Sequence, residues 1–233
     1  MNIAIIIARK NSKRFKNKNF YKIGNKNLIQ RAVNSAIGSK LFDKIIINSD
    51  IINLSQDFKS LSKENLKKIY FLKRKKVLAS DKAKSVDVVV DTIKSLNLNL
   101  DDNICLLLPT CPLRSSQDIK NGFKIFKKNI SSVISLCETN FPSQFSFAIN
   151  KKKLVPLMKN NPLLKKETRT QDMKISYRPN GAFYISKVKT ILKSKNFFYG
   201  NLAGFIMPKN RSIDIDSFED LQLARFYYKN SKK

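Results

Sequence analysis

Apolar residues in this chain come in short blocks, and the spacing within each block predicts its element. Ile3 to Ala8 is an unbroken, β-branched run and reads as a strand buried on both faces. Leu28, Ile29, Ala32, Val33, Ala36 and Ile37 recur at helical spacing, with Gly38 as the expected stop. Lys44 to Asn48 and Ile69 to Leu72 read as strands, with a helix expected over Ile51 to Lys63 between them. Val86 to Leu96 is expected to be helical, with Val86, Val89, Val90, Ile93 and Leu96 on one face. Asn103 to Leu108 is the most apolar run after the first and should form a central strand. A helix from Gln117 to Lys128, capped by Ser116, and a strand from Ser132 to Leu136 follow. Alternation of strand and helix to about residue 137 predicts an α/β fold with a mostly parallel, doubly wound sheet.

The pattern then breaks. Thr139 to Pro179 is polar and dotted with prolines, with a short hairpin expected from Phe145 to Leu154. It reads as an arm and not as another strand–helix–strand unit. Regular structure resumes at Ala182–Ile185, Lys187–Leu192 and Ala203–Met207, and a helix from about Phe218 to Tyr228 closes the chain. The expected organisation is a single domain over residues 1–233 with an irregular arm at about 139–180.

Composition changes this picture only in part. The 233 residues are 42% hydrophobic, enough for a substantial core. Lys and Arg number 46 against 17 Asp and Glu, a net charge of +29. That excess points towards a polyanion, but the lysines are spread along the whole chain and no nucleic-acid motif accompanies them. The expectation is therefore attraction of small anionic molecules, with no specific nucleic-acid partner. Histidine is absent, which excludes histidine bases, histidine metal ligands and Ser–His triads. Cys105, Cys111 and Cys137 are too few and scattered for a disulfide framework or zinc site. No apolar run approaches the roughly 18 residues that span a bilayer, and no basic segment precedes the first apolar run. A cytoplasmic protein without membrane contact is expected.

Four clusters carry candidate chemistry. Arg9, Ser12, Lys13, Lys18 and Asn19 follow the first strand, where ligands gather in open α/β sheets. Arg grips phosphate bidentately, Lys adds point charge, and an Asn amide offers donor and acceptor. Pro109-Thr110-Cys111-Pro112-Leu113-Arg114 is a stiff turn after the central strand, either a pocket wall or a rigid connection with Arg114 in solvent. Arg169, Gln171 and Asp172, with Arg178, Asn180 and Gly181, offer groups for a carboxylate and hydroxyls, or form a surface arm with an Asn-Gly turn. Asp214 and Asp216 alternate with Ile213 and Ile215, so the carboxylates face one way. Two readings stand: a Mg²⁺ site completed by substrate phosphates, or a helix start, since Ser217 and Asp220 form a capping box.

These residues also resemble a known family. Ala8-Arg9-Lys10-Asn11-Ser12-Lys13, followed by Lys18-Asn19, resembles the A-R-G-G-S-K and K-N signature of acylneuraminate cytidylyltransferases, the CMP-sialic acid synthetases and their relatives. Leu107-Leu108-Pro109-Thr110-Cys111-Pro112-Leu113-Arg114 resembles that family's L-Q-P-T-S-P-L-R. Arg169-x-Gln171-Asp172 with Tyr177-x-Pro179-Asn180-Gly181-Ala182 resembles R-x-Q-D and Y-x-P-N-G-A, and Ser212-Ile213-Asp214-Ile215-Asp216 resembles S-x-D-I-D. The resemblance implies a Rossmann-like sheet of the nucleotide-diphospho-sugar transferase type, with a dimerisation arm and a homodimer. It implies transfer of CMP from CTP to a nonulosonic acid, with Mg²⁺ and release of pyrophosphate. Carried over, Arg9, Ser12, Lys13, Lys18, Asn19, Pro109 and Thr110 would bind the nucleotide. Arg9, Lys18 and Asp214 would be catalytic, Asp214 and Asp216 would hold Mg²⁺, and Arg169, Gln171 and Asn180 would meet the sugar acid.

The chain departs from the pattern at four places. Lys10 and Asn11 replace two glycines, which allow closer backbone approach to phosphate. Leu108 replaces a glutamine and Cys111 a serine. Alternatives are the same chemistry on a shorter, Kdo-like acid, an inactive nucleotide-binding relative, and a nucleic-acid binder resting on charge alone.

Overall fold

The structure is a computed structural model that describes residues 1–12, 14–166 and 169–231. Its strands are β1 (Asn2–Ala8), β2 (Lys22–Ile23), β3 (Lys26–Asn27), β4 (Lys44–Ser49), β5 (Ile69–Lys73), β6 (Asn103–Leu107), β7 (Ser132–Glu138), β8 (Phe147–Asn150), β9 (Lys153–Pro156), β10 (Tyr177–Lys187) and β11 (Leu202–Ile206). The α-helices are α1 (Leu28–Ser39), α2 (Lys63–Lys67), α3 (Ser85–Ser95), α4 (Ser116–Ile125), α5 (Val188–Ser194) and α6 (Phe218–Asn230).

Seven strands form the main sheet in the order β11-β7-β10-β6-β1-β4-β5. All run the same way except β10, which is antiparallel to both β6 and β7. The expected mostly parallel α/β sheet is thus observed, and β6 is its middle strand.

Alternation within β1 sorts the core into two layers. Ala4, Ile6 and Ala8 pack with Ile29, Ala32, Val33 and Ala36 of α1. Ile3 and Ile5 pack on the other face with Val89 and Ile93 of α3 and Val188 and Ile191 of α5. Each such isoleucine contributes roughly 1.5–3 kcal/mol on full burial.

A third cluster positions the site. Ile23 of β2, Leu28, Leu113, Ile215, Leu221 and Ala224 are buried together, with Phe15, Tyr21 and Ile213 packed against them. Phe15 stacks on Tyr21 at 4.6 Å and meets Phe218 of α6 edge-on at 6.4 Å. The loop after β1 and the segment before α6 therefore share one hydrophobic cluster, although they lie near opposite ends of the chain.

Several boundaries differ from the sequence expectation. Gly38 lies inside α1, which ends at Ser39 with Lys40 in the left-handed conformation. A Cβ at Gly38 would lie 3.2 Å from Ser116 Cβ, so this glycine serves the close approach of α1 and α4. The helix expected over Ile51–Lys63 is a 3₁₀ turn at Leu54–Phe58 followed by the short α2, because Asn53 adopts φ +60° and Ser62 caps α2 afresh. Ser115, not Ser116, caps α4. The inner face of α3 is Val88, Val89, Thr92 and Ile93, with Leu96 exposed.

The irregular stretch holds the expected hairpin, β8 paired with β9, as a separate two-stranded sheet. Ile149, Leu154, Leu157, Leu164 and Ile175 are exposed along this region.

Candidate active site

The loop after β1 is held by its own backbone contacts. The Lys10 amide donates to Asp50 Oδ1 at 2.7 Å, and Asn19 Nδ2 donates to the Arg9 carbonyl at 2.9 Å. Asn19 is buried, so this amide braces the loop from below. Lys10 and Asn11 are both exposed and neither has a positive φ. The two positions that depart from glycine therefore carry side chains without backbone strain. The Arg9 guanidinium is ion-paired with Asp81 in the loop after β5.

The segment before α6 approaches from the other side. The Ile215 amide donates to the Thr110 carbonyl at 2.8 Å, tying this segment to the turn after β6. Lys18 Nζ donates to the Ile215 carbonyl at 3.2 Å and to Asp216 Oδ1 at 2.9 Å. Arg14 pairs with the second Asp216 oxygen at 2.9 Å. With Ile213 and Ile215 in the hydrophobic cluster, Asp214 and Asp216 both point into the cleft, as the alternation predicts. Capping is done by other residues: Ser217 and Asp220 form the box, and Asp220 Oδ2 accepts the Asp216 amide at 3.0 Å. The capping reading therefore holds for Ser217 and Asp220, while both carboxylates before them stay on the cleft side.

The two aspartates differ electrostatically. Burial raises the Asp214 carboxyl above its ordinary value, and the neighbouring Asp216 charge adds to this. Thr110, Lys18 and Arg178 only partly offset the rise. Asp214 Oδ1 is buried without a hydrogen-bond partner among the described residues. Burial also pushes Asp216 upwards, but the hydrogen bond and charge of Lys18, with Arg14, outweigh it and hold that carboxyl below its usual value.

Arg9, Lys18, Asn19, Pro109, Thr110, Asp214 and Asp216 thus line one cleft of about 310 Å³ at the carboxyl edge of the sheet. Arg74, which follows β5 directly, lines it too and is itself buried. Burial pulls its guanidinium down to about 10, with Asp50 opposing and Arg9 adding to the shift, so it remains charged near neutrality. The position of Arg74 at a strand's carboxyl end was the signal for it in the sequence. Leu108 and Ser85 also line an adjoining pocket of about 190 Å³ with Tyr184, Phe197 and Phe198. Gly181, at φ +75°, lies behind this junction. A Cβ there would be 3.4 Å from Leu108 Cδ1 and 3.7 Å from Asp214 Oδ2.

The arrangement of cations, a buried carboxylate and a stiff turn around one cleft suits a phosphate-bearing ligand. Comparison with known proteins agrees. The family profile described as "Cytidylyltransferase" matches residues 3–233. The chain belongs to the cytidylyltransferase family. It is 30% identical over 231 residues to a pseudaminic acid cytidylyltransferase of Campylobacter jejuni, covering 98% of this chain and 96% of that one. It is 30% identical over 225 residues to an N-acylneuraminate cytidylyltransferase of Escherichia coli, covering 95% of this chain and 51% of that one. The fold is also that of a CMP:2-keto-3-deoxy-manno-octonic acid synthetase solved with CTP, at a TM-score of 0.67, 13% identity and 99% coverage of both chains.

Not every residue expected at the site converges on the cleft. Ser12 lines a neighbouring cavity with Arg9, Asn11, Lys16 and Ser80. Lys13 lies outside the described residues. Arg169 and Gln171 are exposed, at a 3₁₀ turn over Thr170–Asp172, and do not line the cleft. Asn180 is fully buried, and the Asn-Gly pair lies within β10 instead of a surface turn. Its Nδ2 donates to Ser212 Oγ at 2.9 Å and its Oδ1 accepts the Ala182 amide at 3.1 Å, which makes it a brace for β10. Arg114 is neither in solvent nor in the cleft. It is buried and donates to the Leu108 and Ala182 carbonyls and to Ser35 Oγ, locking the turn after β6 against β10. The three cysteines are free and buried, and burial pushes the Cys111 thiol up to about 12, which rules it out as a nucleophile. No described helix is long and apolar enough to cross a membrane.

Proposed function

We propose that this cytidylyltransferase transfers CMP from CTP to the 2-hydroxyl of a nonulosonic acid, and that pseudaminic acid or a similarly deoxygenated sugar acid is its substrate. The observation that carries the reading is the meeting of Arg9, Lys18, Thr110 and Asp214, from three distant parts of the chain, around one cleft. In the reaction the sugar hydroxyl oxygen bonds to the α-phosphorus as the bond to the β-phosphate oxygen breaks, pyrophosphate leaves, and the hydroxyl proton is released to solvent. Such transfers depend mainly on in-line positioning and charge stabilisation, so a chain without histidine is equipped for them. Arg9 and Lys18 neutralise the charge that develops on the leaving pyrophosphate. Arg74 and Thr110 orient the nucleotide from the β5 and β6 ends.

Asp214 fits a divalent cation. Its side chain lines the cleft, and its Oδ1 is a buried carboxylate oxygen without a hydrogen-bond partner among the described residues. Asp216 fits as a second ligand only once its pairing with Lys18 and Arg14 loosens. An ion held here would take one or two carboxylates and complete its shell with substrate phosphates. When bound, Mg²⁺ would supply charge stabilisation on the phosphates and acidify the attacking hydroxyl.

The sugar preference rests on Leu108. An apolar side chain stands at the mouth of a pocket walled by Tyr184, Phe197 and Phe198, which favours deoxy or acyl groups over a hydroxyl-rich tail. The exposed apolar residues of the arm, Ile149, Leu154, Leu157, Leu164 and Ile175, support a homodimer. Free buried thiols fit a cytoplasmic enzyme. Pyrophosphate release from CTP with a panel of sugar acids tests the reading. Release with pseudaminic acid and little with Kdo is expected, and no release with any nonulosonic acid overturns it.

A further inference from the structure

Arg74 does not reach the cleft as a loose side chain. Its Nε donates to Asn48 Oδ1 at 3.0 Å and its Nη2 to the Asn48 carbonyl at 2.8 Å, while its own amide donates to the Ser49 carbonyl at 2.9 Å. Asn48 lies on β4 and is fully buried. Its Nδ2 donates to Thr92 Oγ1 at 3.0 Å, and the Thr92 hydroxyl donates to the Val88 carbonyl of α3 at 2.8 Å.

The direction of this chain is fixed by chemistry. Arginine has no acceptor, so Asn48 must turn its oxygen towards Arg74. That leaves the amide NH₂ for Thr92, whose oxygen accepts because its proton is given to Val88. Asn48 and Thr92 are both 0% exposed and lie beside an apolar layer that includes Ile46, Val89 and Ile93. Buried polar side chains in such a layer are costly unless every partner is present. Here the chain ends on the one edge of Arg74, at Nη1, that makes no hydrogen bond among the described residues.

We infer that Asn48 and Thr92 are positioning residues of the nucleotide site: they hold the Arg74 guanidinium with one edge turned to the cleft, so that it meets CTP already oriented. The inference rests on the cytidylyl-transfer reading and adds two residues that touch no substrate. Ordering a long side chain before binding removes that cost from the binding step. The relay also joins the nucleotide site to α3 through hydrogen bonds alone.

The test is Thr92→Val, which keeps the shape and removes the hydroxyl. Its KM for CTP should rise about three- to tenfold, the worth of a lost hydrogen bond, while the KM for the sugar acid stays within about twofold. Thr92→Ser should restore the CTP value. In an Arg74→Gln background, Thr92→Val should cause no further change, because its effect passes through the guanidinium. If valine unfolds the protein, Thr92→Ala removes the same hydroxyl with less crowding. A lowered melting temperature with unchanged CTP affinity, or an effect that persists without Arg74, overturns the inference and leaves the functional reading intact. Wild-type protein that neither turns over CTP nor binds magnesium-CTP by calorimetry overturns both.

Discussion

Lys18 Nζ lies 2.9 Å from Asp216 Oδ1, although 198 positions separate the two residues. The contact exists because Phe15 and Ile215 are drawn into one hydrophobic cluster, leaving the polar residues between them to face each other. It also divides the two aspartates of the segment into one that is ion-paired and one that forms no ion pair among the described residues.

Opposite pH responses follow from that division. The folded-state value of Asp216 is depressed, so its stabilisation is present above the ordinary value of 3.8 and is lost as pH falls through the lower folded value. Asp214 is raised, so it costs stability above its folded value, and the cost fades as pH falls towards 3.8. In metal-free protein at about pH 7, Asp216→Asn should lower the urea midpoint and Asp214→Asn should leave it unchanged or raise it. The Asp216 effect should stay under about 1 kcal/mol, since its carboxylate is 36% exposed and screened by solvent. Midpoints that move the same way at neutral pH would contradict the assignment.

Activity should separate from stability at the same residue. Asp214→Asn keeps the shape of the side chain but removes the charge that a divalent ion needs. Magnesium-dependent pyrophosphate release should fall by about 100-fold or more, with the fold intact by circular dichroism. Unchanged turnover would refute the metal role.

Much of this site was legible in the sequence, for reasons particular to each stretch. Ile3 to Ala8 is too apolar for anything but a buried strand, and that fixed where Arg9 and Lys18 must emerge. Strict alternation at Ile213–Asp216 gave the direction of both carboxylates. Arg74 was not singled out, because its place at a strand's carboxyl end is a weak signal among the many basic residues of a +29 chain, and burial is what sets it apart. Asn180 misled for the opposite reason. Asn-Gly is a turn signal, but here it lies in an irregular stretch of β10, where the register against β7 shifts between Pro179 and Tyr184, and the Asn180 side chain is buried. The helix expected at Ile51–Lys63 failed because a left-handed Asn53 outweighs the weak periodicity around it.

Arg9 is expected to act on the nucleotide. Its pairing with Asp81 is partly exposed and contributes little to stability, so Arg9→Ala should fold normally. The KM for CTP should rise about tenfold or more, the loss of a charge-assisted contact. Steady-state kinetics with each substrate varied separately decides this. A change confined to the sugar-acid KM would move Arg9 out of the triphosphate site.

Asn180 provides the contrasting case. Asn180→Ala removes the Ser212 contact and leaves the Ala182 amide without its acceptor. A loss of about 1–3 kcal/mol in chemical denaturation is expected, with the sugar-acid KM unchanged in the folded fraction. A selective rise in that KM, without loss of stability, would return Asn180 to the sugar site.

Leu108 tests the substrate preference. It borders both the cleft and the aromatic pocket, and Gly181 lies against it, so the side chain has a fixed place. Leucine cannot hydrogen-bond a substrate hydroxyl, whereas glutamine offers both a donor and an acceptor. A site built to bond a hydroxyl discriminates strongly, while an apolar wall discriminates by roughly 10- to 200-fold per group. Leu108→Gln should therefore shift the ratio of kcat/KM by about tenfold, away from pseudaminic acid and towards N-acetylneuraminic acid. Competition between the two acids for limiting CTP reads the ratio directly. An unaltered ratio would mean that the sugar tail does not reach this wall, and the aromatic pocket beyond it would then play no part in selection.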